Sequence, residues 1–156
     1  MTEIDETAGM SEAGRHEWEL MVAGEVYQDS HPDIERKRAE AKRLFVEYNK
    51  TDYEDVERRR EIMERLFKSI GEDVFIEPNF RCEVGRNITI GSHAYINFDC
   101  VMLDNAPITL GDYVWIAPMV GLFATNHALD FEERKNGACQ AKPIVIGNGV
   151  WLGGHV

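Results

Sequence analysis

CEVGRNITIGSHAYINFDCVML, residues 82–103, carries an aliphatic residue followed by a small or turn-permissive one at six-residue intervals: Val84-Gly85, Ile90-Gly91, Ile96-Asn97, then Met102-Leu103. After a two-residue slip at Asp104 to Pro107 the ladder resumes with Leu110-Gly111, Ile116-Ala117 and Leu122-Phe123, and it returns at Ile146-Gly147 and Leu152-Gly153. Two positions before each anchor stands another apolar or small residue: Cys82, Ile88, Ala94, Cys100, Ile108, Val114, Val120, Ile144 and Val150. Side chains two apart in extended backbone share a face, so each hexad sends two residues inward and then turns a corner. The Gly or Asn after the anchor suits a corner of positive φ. Three hexads close one triangular coil, and a mainly β architecture of stacked coils follows. An antiparallel β-domain predicts tight hairpin turns and irregular strand lengths instead.

Outward from the ladder, the N-terminal side changes character. Residues 1–15 are acidic and poor in large apolar side chains, which predicts a flexible tail. Residues 16–71 show helical spacing and predict a small helical cap. Trp18, Met21 and Val22 form a first stripe ended by Gly24, and Pro32 opens a second helix bearing Ala41, Leu44, Phe45 and Tyr48. Asn49 and Thr51-Asp52 break and re-cap the chain before a third helix that carries Val56, Ile62, Met63, Leu66, Phe67 and Ile70 and ends at Gly71. Residues 72–156 form the coils, with an excursion loop at about 124–142 where the period lapses.

Composition narrows the function. A net charge of −11 argues against nucleic acid and against a polyanionic membrane surface, and no apolar run reaches the length of a membrane span. The acidic start lacks the layout of a secretory signal, and three cysteines make no disulfide framework, so the expected compartment is the cytoplasm. Cys82 and Cys100, eighteen residues apart, are expected to stack in the core one coil apart as small buried hydrophobes, and nothing marks the loop residue Cys139 as reactive.

Several stretches are more specific than the hexads: Ile76-Glu77-Pro78 with Phe80-Arg81-Cys82; Tyr95 through Asp99; Ala124-Thr125-Asn126-His127 leading through Glu133-Arg134-Lys135-Asn136-Gly137 to Lys142-Pro143-Ile144. Together, from about Trp18 to Val156, they resemble the maltose and galactoside O-acetyltransferases of the hexapeptide-repeat acyltransferases. The resemblance implies a left-handed parallel β-helix, a homotrimer, acetyl-CoA as co-substrate without a metal, and a sugar acceptor of maltose, glucose or galactoside type held in clefts between subunits. Members of that family continue for further coils after the Trp-Leu-Gly-Gly segment. This chain stops at Val156 in mid-repeat, so it reads as truncated, its C-terminal coils missing.

Acetyl transfer to an alcohol requires a base, groups that aim the hydroxyl, and donors for the oxyanion. By itself His127 is a surface loop histidine; the resemblance makes it the catalytic base of a direct attack without an acyl-enzyme. Asn97 is by itself a turn residue, Glu83 a solvated carboxylate, and Asp29 and Arg38 are ordinary charge pairing in the cap. The resemblance makes all four ligands of the acceptor, and the cap a lid. Tyr95 and Trp151 are by themselves outward aromatics at a subunit seam. By resemblance they line the cleft, Tyr95 on the acceptor side and Trp151 with the cofactor, and the backbone of Gly153 and Gly154 polarises the acetyl carbonyl. Asn105 departs from the acidic residue of galactoside-acetylating relatives, so acceptor preference does not carry over from it.

Two other readings compete. A zinc carbonic anhydrase on the same coil needs three converging histidines, and His93, His127 and His155 fall on different hexad phases. A catalytically impaired, truncated assembly protein of the same fold follows from the missing coils.

Overall fold

The computed structural model describes residues 5–156. Three parallel sheets wrap one apolar core as the faces of a triangular prism. The first face stacks β2 (Ser69–Ile70), β5 (Ile88–Ile90), β8 (Ile108–Leu110) and β13 (Ile144–Ile146). The second stacks β3 (Phe75–Ile76), β6 (Tyr95–Ile96), β9 (Trp115–Ile116) and β14 (Trp151–Leu152), and the third β4 (Arg81–Cys82), β7 (Val101–Leu103) and β10 (Gly121–Phe123). Each face contributes an inward column in register: Ile70, Ile90, Leu110 and Ile146; Ile76, Ile96, Ile116 and Leu152; Cys82, Met102 and Leu122.

Partners in adjacent coils are twenty residues apart, not eighteen. Two sides of the triangle advance by six residues, and the third corner holds two extra residues in every coil. The slip visible at Asp104 to Pro107 therefore recurs at residues 83–87, and in the third coil the same corner opens into the excursion. This corrects the cysteine register: Cys82 stacks on Met102, not on Cys100. Both thiols are buried, and burial pushes both above their ordinary pKa, so they are poor nucleophiles. It also moves Val84. That residue keeps the six-residue phase to Ile90 but points out of the coil, into a second cluster with Met10, Trp18, Met21, Tyr27, Ile34 and Cys139.

The left-handed backbone is also not where the pattern predicts it. Positive φ falls three residues after the anchor, at His93, Asp99, Tyr113, Met119, Gly149 and His155; Gly85 is the exception. Gly91 and Gly111 are needed because successive coils touch there. A Cβ on Gly91 would sit 2.5 Å from the carbonyl carbon of Gly111, and one on Gly111 would sit 2.2 Å from Asn148 Oδ1. Asn97 is thus no positive-φ corner; its Oδ1 accepts from the Phe98 N–H at 2.8 Å.

Helices α2 (Pro32–Lys50) and α3 (Val56–Leu66) pack on the first coil, and α1 (Glu12–Ala23) packs beside α2 against the side of the coil. The polar–apolar spacing of α2 and α3 turns Ala41, Tyr48, Ile62, Met63 and Leu66 into the core that the coils continue. Tyr48 donates to the Ile76 carbonyl at 2.7 Å, and the buried Arg59 donates to the same oxygen at 2.6 Å with its guanidinium 4.1 Å from the Tyr48 ring centre. Asn49 does not end α2; inside it, the side chain brackets the Phe80 backbone with two hydrogen bonds of 2.8 and 3.0 Å. The cap of α3 is Asp55, and the helix stops at Leu66 rather than Gly71, because residues 69–70 are already the first rung of the coil.

The expected tail lies partly outside the described residues, at 1–4. The rest is ordered in a way its composition hides. Met10 is buried, Ser11 caps α1 and donates to Asp33 through hydroxyl and N–H at 2.7 and 3.0 Å, and α1 begins at Glu12. One apolar side chain and one capping serine are enough to dock a segment whose average character is that of a tail.

Candidate active site

The wide corner builds the site. Its two extra residues at 83–87 leave backbone N–H groups that the sheet ladder does not fully use, and a carboxylate from the coil above takes them. Asp104, fully buried, accepts from the N–H groups of Glu83 at 3.0 Å, Val84 at 2.9 Å and Asn87 at 3.2 Å. Burial pushes its pKa up to about 6 against the lowering effect of those donors. Asn87 returns a bond from its side-chain amide to the Asp104 carbonyl at 2.8 Å.

On this clamped corner Glu83 meets the cap. Arg38 of α2 places Nε 2.5 Å from Glu83 Oε1, a contact that is ionic and off the hydrogen-bond axis. Its other nitrogens bond the Asp29 carboxylate and, at 2.7 Å, the Asp29 carbonyl. Burial opposes the charge on Arg38, but the two facing carboxylates outweigh it and hold the guanidinium firmly protonated. Tyr27, on the short strand β1 (Val26–Gln28), donates to Asp29 Oδ1 at 2.9 Å and accepts from the Asn105 amide at 2.9 Å. Burial, then the adjacent Cys139 thiol and Asp29, pushes the Tyr27 phenol well above its usual pKa, so it remains a neutral donor. Among the described residues, two buried side-chain polar atoms lack a hydrogen-bond partner: Arg38 Nε and Asn105 Oδ1. They lie on one connected network, Arg38–Asp29–Tyr27–Asn105.

The excursion is not an irregular loop. It is a hairpin of β11 (Thr125–His127) and β12 (Ala138–Ala141), spanned by the short helix α4 (Phe131–Lys135), and β1 of the cap joins β12 on its other side. In this antiparallel sheet Tyr27 is opposite Cys139, and Cys139 is opposite His127. Directly opposed residues share a face, so His127 stands two rungs from the phenol that holds Asp29. Cys139 is buried between them, bonded to Thr125 Oγ1 at 3.2 Å and to the Asn126 carbonyl at 3.1 Å. His127 itself is exposed and lines a cavity of about 180 Å³ with Val26, Asn126, Glu133 and Gln140.

The remaining predicted residues lie elsewhere in the single chain. Tyr95 and Trp151 belong to an outward column on the second face, Phe75, Tyr95, Trp115 and Trp151, in successive registers. Tyr95 donates to Glu77 Oε1 at 3.0 Å and stacks on Phe75, while Trp115 is 59% and Trp151 72% exposed. Asn97 follows Tyr95 on the same coil, and Gly153 and Gly154 follow Trp151. A Cβ on Gly154 comes no nearer than 3.4 Å to the Pro118 carbonyl. The chain therefore unites Asp29, Arg38 and Glu83, sets His127 two strands from Tyr27 in the hairpin sheet, and leaves Tyr95, Asn97, Trp151, Gly153 and Gly154 elsewhere on the coils.

Sequence reasoning missed Tyr27 and Asp104. Tyr27 had a local signal, an apolar residue between two polar or exposed neighbours in a short stretch bounded by Gly24 and Pro32. Asp104 had the slip itself, an acid at the shorter of the two places where the ladder visibly lapsed.

A family profile described as the maltose acetyltransferase hexapeptide capping motif matches residues 20–71. Nodulation protein L of Rhizobium meliloti is 37% identical over 140 residues, covering 90% of this chain and 76% of that protein. Galactoside O-acetyltransferase of Escherichia coli is 38% identical over 138 residues, covering 88% and 68% respectively. The solved structure of a hexapeptide-repeat acetyltransferase of Vibrio cholerae complexed with acetyl-coenzyme A superposes with a TM-score of 0.73 at 36% identity, covering 89% of this chain and 81% of that one.

Proposed function

The chain belongs to the maltose and galactoside O-acetyltransferase family of hexapeptide-repeat acyltransferases, left-handed β-helices, and from that premise we propose that it moves the acetyl group of acetyl-coenzyme A to a hydroxyl of a maltose-, glucose- or galactoside-type sugar. The observation that carries the sugar assignment is the network at the wide corner. It gathers an ion-paired Asp29, Arg38 and Glu83 with one buried acceptor, Asn105 Oδ1, that has no hydrogen-bond partner among the described residues. A buried polar atom is costly unless paired, and a hydroxyl of a polyhydroxylated ligand supplies the missing donor, while the carboxylates of Asp29 and Glu83 retain lone pairs for further hydroxyls.

His127 is the general base. An imidazole nitrogen takes the proton of the acceptor hydroxyl as its oxygen bonds to the thioester carbonyl carbon. The C–S bond then breaks, and the imidazolium returns the proton to the departing thiolate. Asp29, Arg38, Glu83, Tyr95 and Asn97 aim the acceptor, with residues 16–71 as lid. The exposed indole of Trp151 and the backbone of Gly153 and Gly154 take the coenzyme end of the site, with an N–H directed at the carbonyl oxygen.

The division of these residues between two faces supports a homotrimer in which the second face of one subunit completes the corner of the next. The exposed aromatic column supplies apolar area for such a seam. The three cysteines are unpaired, and no helix among the described residues is long and apolar enough to cross a membrane, which supports the cytoplasm as its place of action. Incubation with acetyl-coenzyme A and a panel of maltose, glucose and galactosides should release free coenzyme A in the presence of at least one sugar. Release that no sugar increases would overturn the acceptor assignment.

A further inference from the structure

A second cavity, apart from the one beside His127, has a volume of about 600 Å³ between α2, α3 and the corner residues Val84 and Arg86, and it has no part in the acetyl transfer proposed above. Four cations line it: Lys37, Arg43, Arg65 and Arg86. Of the lining acids, Glu47 is paired outward to Arg58 and Glu64 to Arg60. Glu6 is paired to Arg86, which leaves Glu40 beside Lys37, Arg43 and Arg65. In a protein of net charge −11 this is a local concentration of cations.

Arg86 is the fixed seat of that charge. One Nη bonds the Phe67 carbonyl, which orients the guanidinium, and its side chain is 13% exposed. The remaining N–H groups are engaged by the Glu6 carboxylate in a fork, with Nε 3.0 and 3.1 Å from the two oxygens and Nη2 2.7 Å from one of them. Glu6 reaches there from a segment ahead of α1, eighty positions away in sequence. The chain thus already places an oxyanion in the cavity. Lys37, Arg43 and Arg65 make no ion pair among the described residues.

We propose that this cavity binds a phosphorylated small molecule, and that Glu6 is a tethered carboxylate holding the phosphate seat at Arg86 until the ligand displaces it. A phosphate monoester brings a second charge and a third acceptor oxygen, which a carboxylate lacks, and the other three cations outnumber the one lining acid, Glu40, that is not already paired. The tether makes Glu6 a competitor at high local concentration, so removing its charge must tighten binding.

Calorimetric titration of the full chain with inorganic phosphate and with glycerol 3-phosphate, at ionic strength matched with chloride, tests this directly. Glu6→Gln is expected to bind both probes about tenfold more tightly than the unaltered protein, and Arg86→Gln to lose binding. Because Arg86→Gln also removes the Phe67 contact, the exposed Arg65→Ala provides a second reading: it should weaken binding with an unchanged circular dichroism spectrum. No saturable binding to Glu6→Gln, or binding equal in Glu6→Gln and the unaltered protein, overturns the proposal. Neither readout depends on acetyl transfer.

Discussion

The side-chain amide of Asn105 donates to the phenolic oxygen of Tyr27 across 2.9 Å, joining the wide corner of the second coil to a strand of the cap 78 residues earlier. Tyr27 passes the order on by donating to Asp29, so one phenol fixes the position of the acid that we assign to the acceptor. Tyr27→Phe keeps the packing of a buried ring and removes both bonds. It is expected to cost about 1–3 kcal/mol of stability and to raise KM for the sugar more than it lowers kcat. Steady-state kinetics alongside chemical denaturation would check both, and an unchanged sugar KM would detach Tyr27 from the acceptor site.

Asp104 makes a prediction about pH. Its carboxyl titrates at about 6 in the fold and near 3.9 in an unfolded chain. The folded state therefore binds the extra proton between those values, and stability from this group rises as pH falls through 6 and is fully gained below 4. Between pH 7 and pH 5 the gain is about 1 kcal/mol. Asp104→Asn should be less stable than the parent at both pH values, having lost an acceptor for the Asn87 N–H, and should lack that gain. Urea midpoints of the pair at pH 7 and 5 give the comparison; parallel shifts would show that Asp104 is ionised throughout.

The close approach of successive coils predicts intolerance at the glycine of the repeat. Gly91→Ala drives a Cβ to 2.5 Å from the backbone of the next coil. It is expected to lose about 1–3 kcal/mol by overpacking. Thermal melting of the variant beside the unaltered protein checks this, and an unchanged midpoint would show that the coils part there without cost.

The inward columns were legible because few folds besides a stacked coil bury aliphatic pairs at a period of six. The wide corner was not, for a physical reason: Val84 is as apolar as any core anchor and sits six residues before Ile90, yet it is buried against the cap rather than inside the coil. A pattern of hydrophobicity shows that a side chain avoids water, not which of two cores receives it. The same ambiguity displaced the cysteine register and hid one slip of two residues at 83–87. His127, Asp29, Arg38 and Glu83 were proposed through motif resemblance, and the structure draws the last three together without showing their role. The hairpin that relates His127 to Tyr27 was invisible, because one of its strands, β12, pairs with β1 more than a hundred residues away in the chain.

Glu77 and Tyr95 offer a test of the second face. The Tyr95 hydroxyl is held by Glu77 at 3.0 Å, so Glu77→Gln keeps an acceptor while Tyr95→Phe removes the donor. If the subunits assemble as proposed, Tyr95→Phe should raise KM for the sugar about threefold to thirtyfold, the loss of one hydrogen bond, while Glu77→Gln should leave it nearly unchanged. Sedimentation velocity on both variants checks that assembly persists.

Every role assigned at the corner presumes that His127 is the base of an acetyl transfer. The decisive experiment is the rate of coenzyme A release from acetyl-coenzyme A with the best sugar acceptor, measured for His127→Ala beside the unaltered protein. A fall in kcat of about 100- to 10,000-fold with an unchanged melting temperature is expected. A variant that keeps its rate while folded normally would remove His127 from the chemistry.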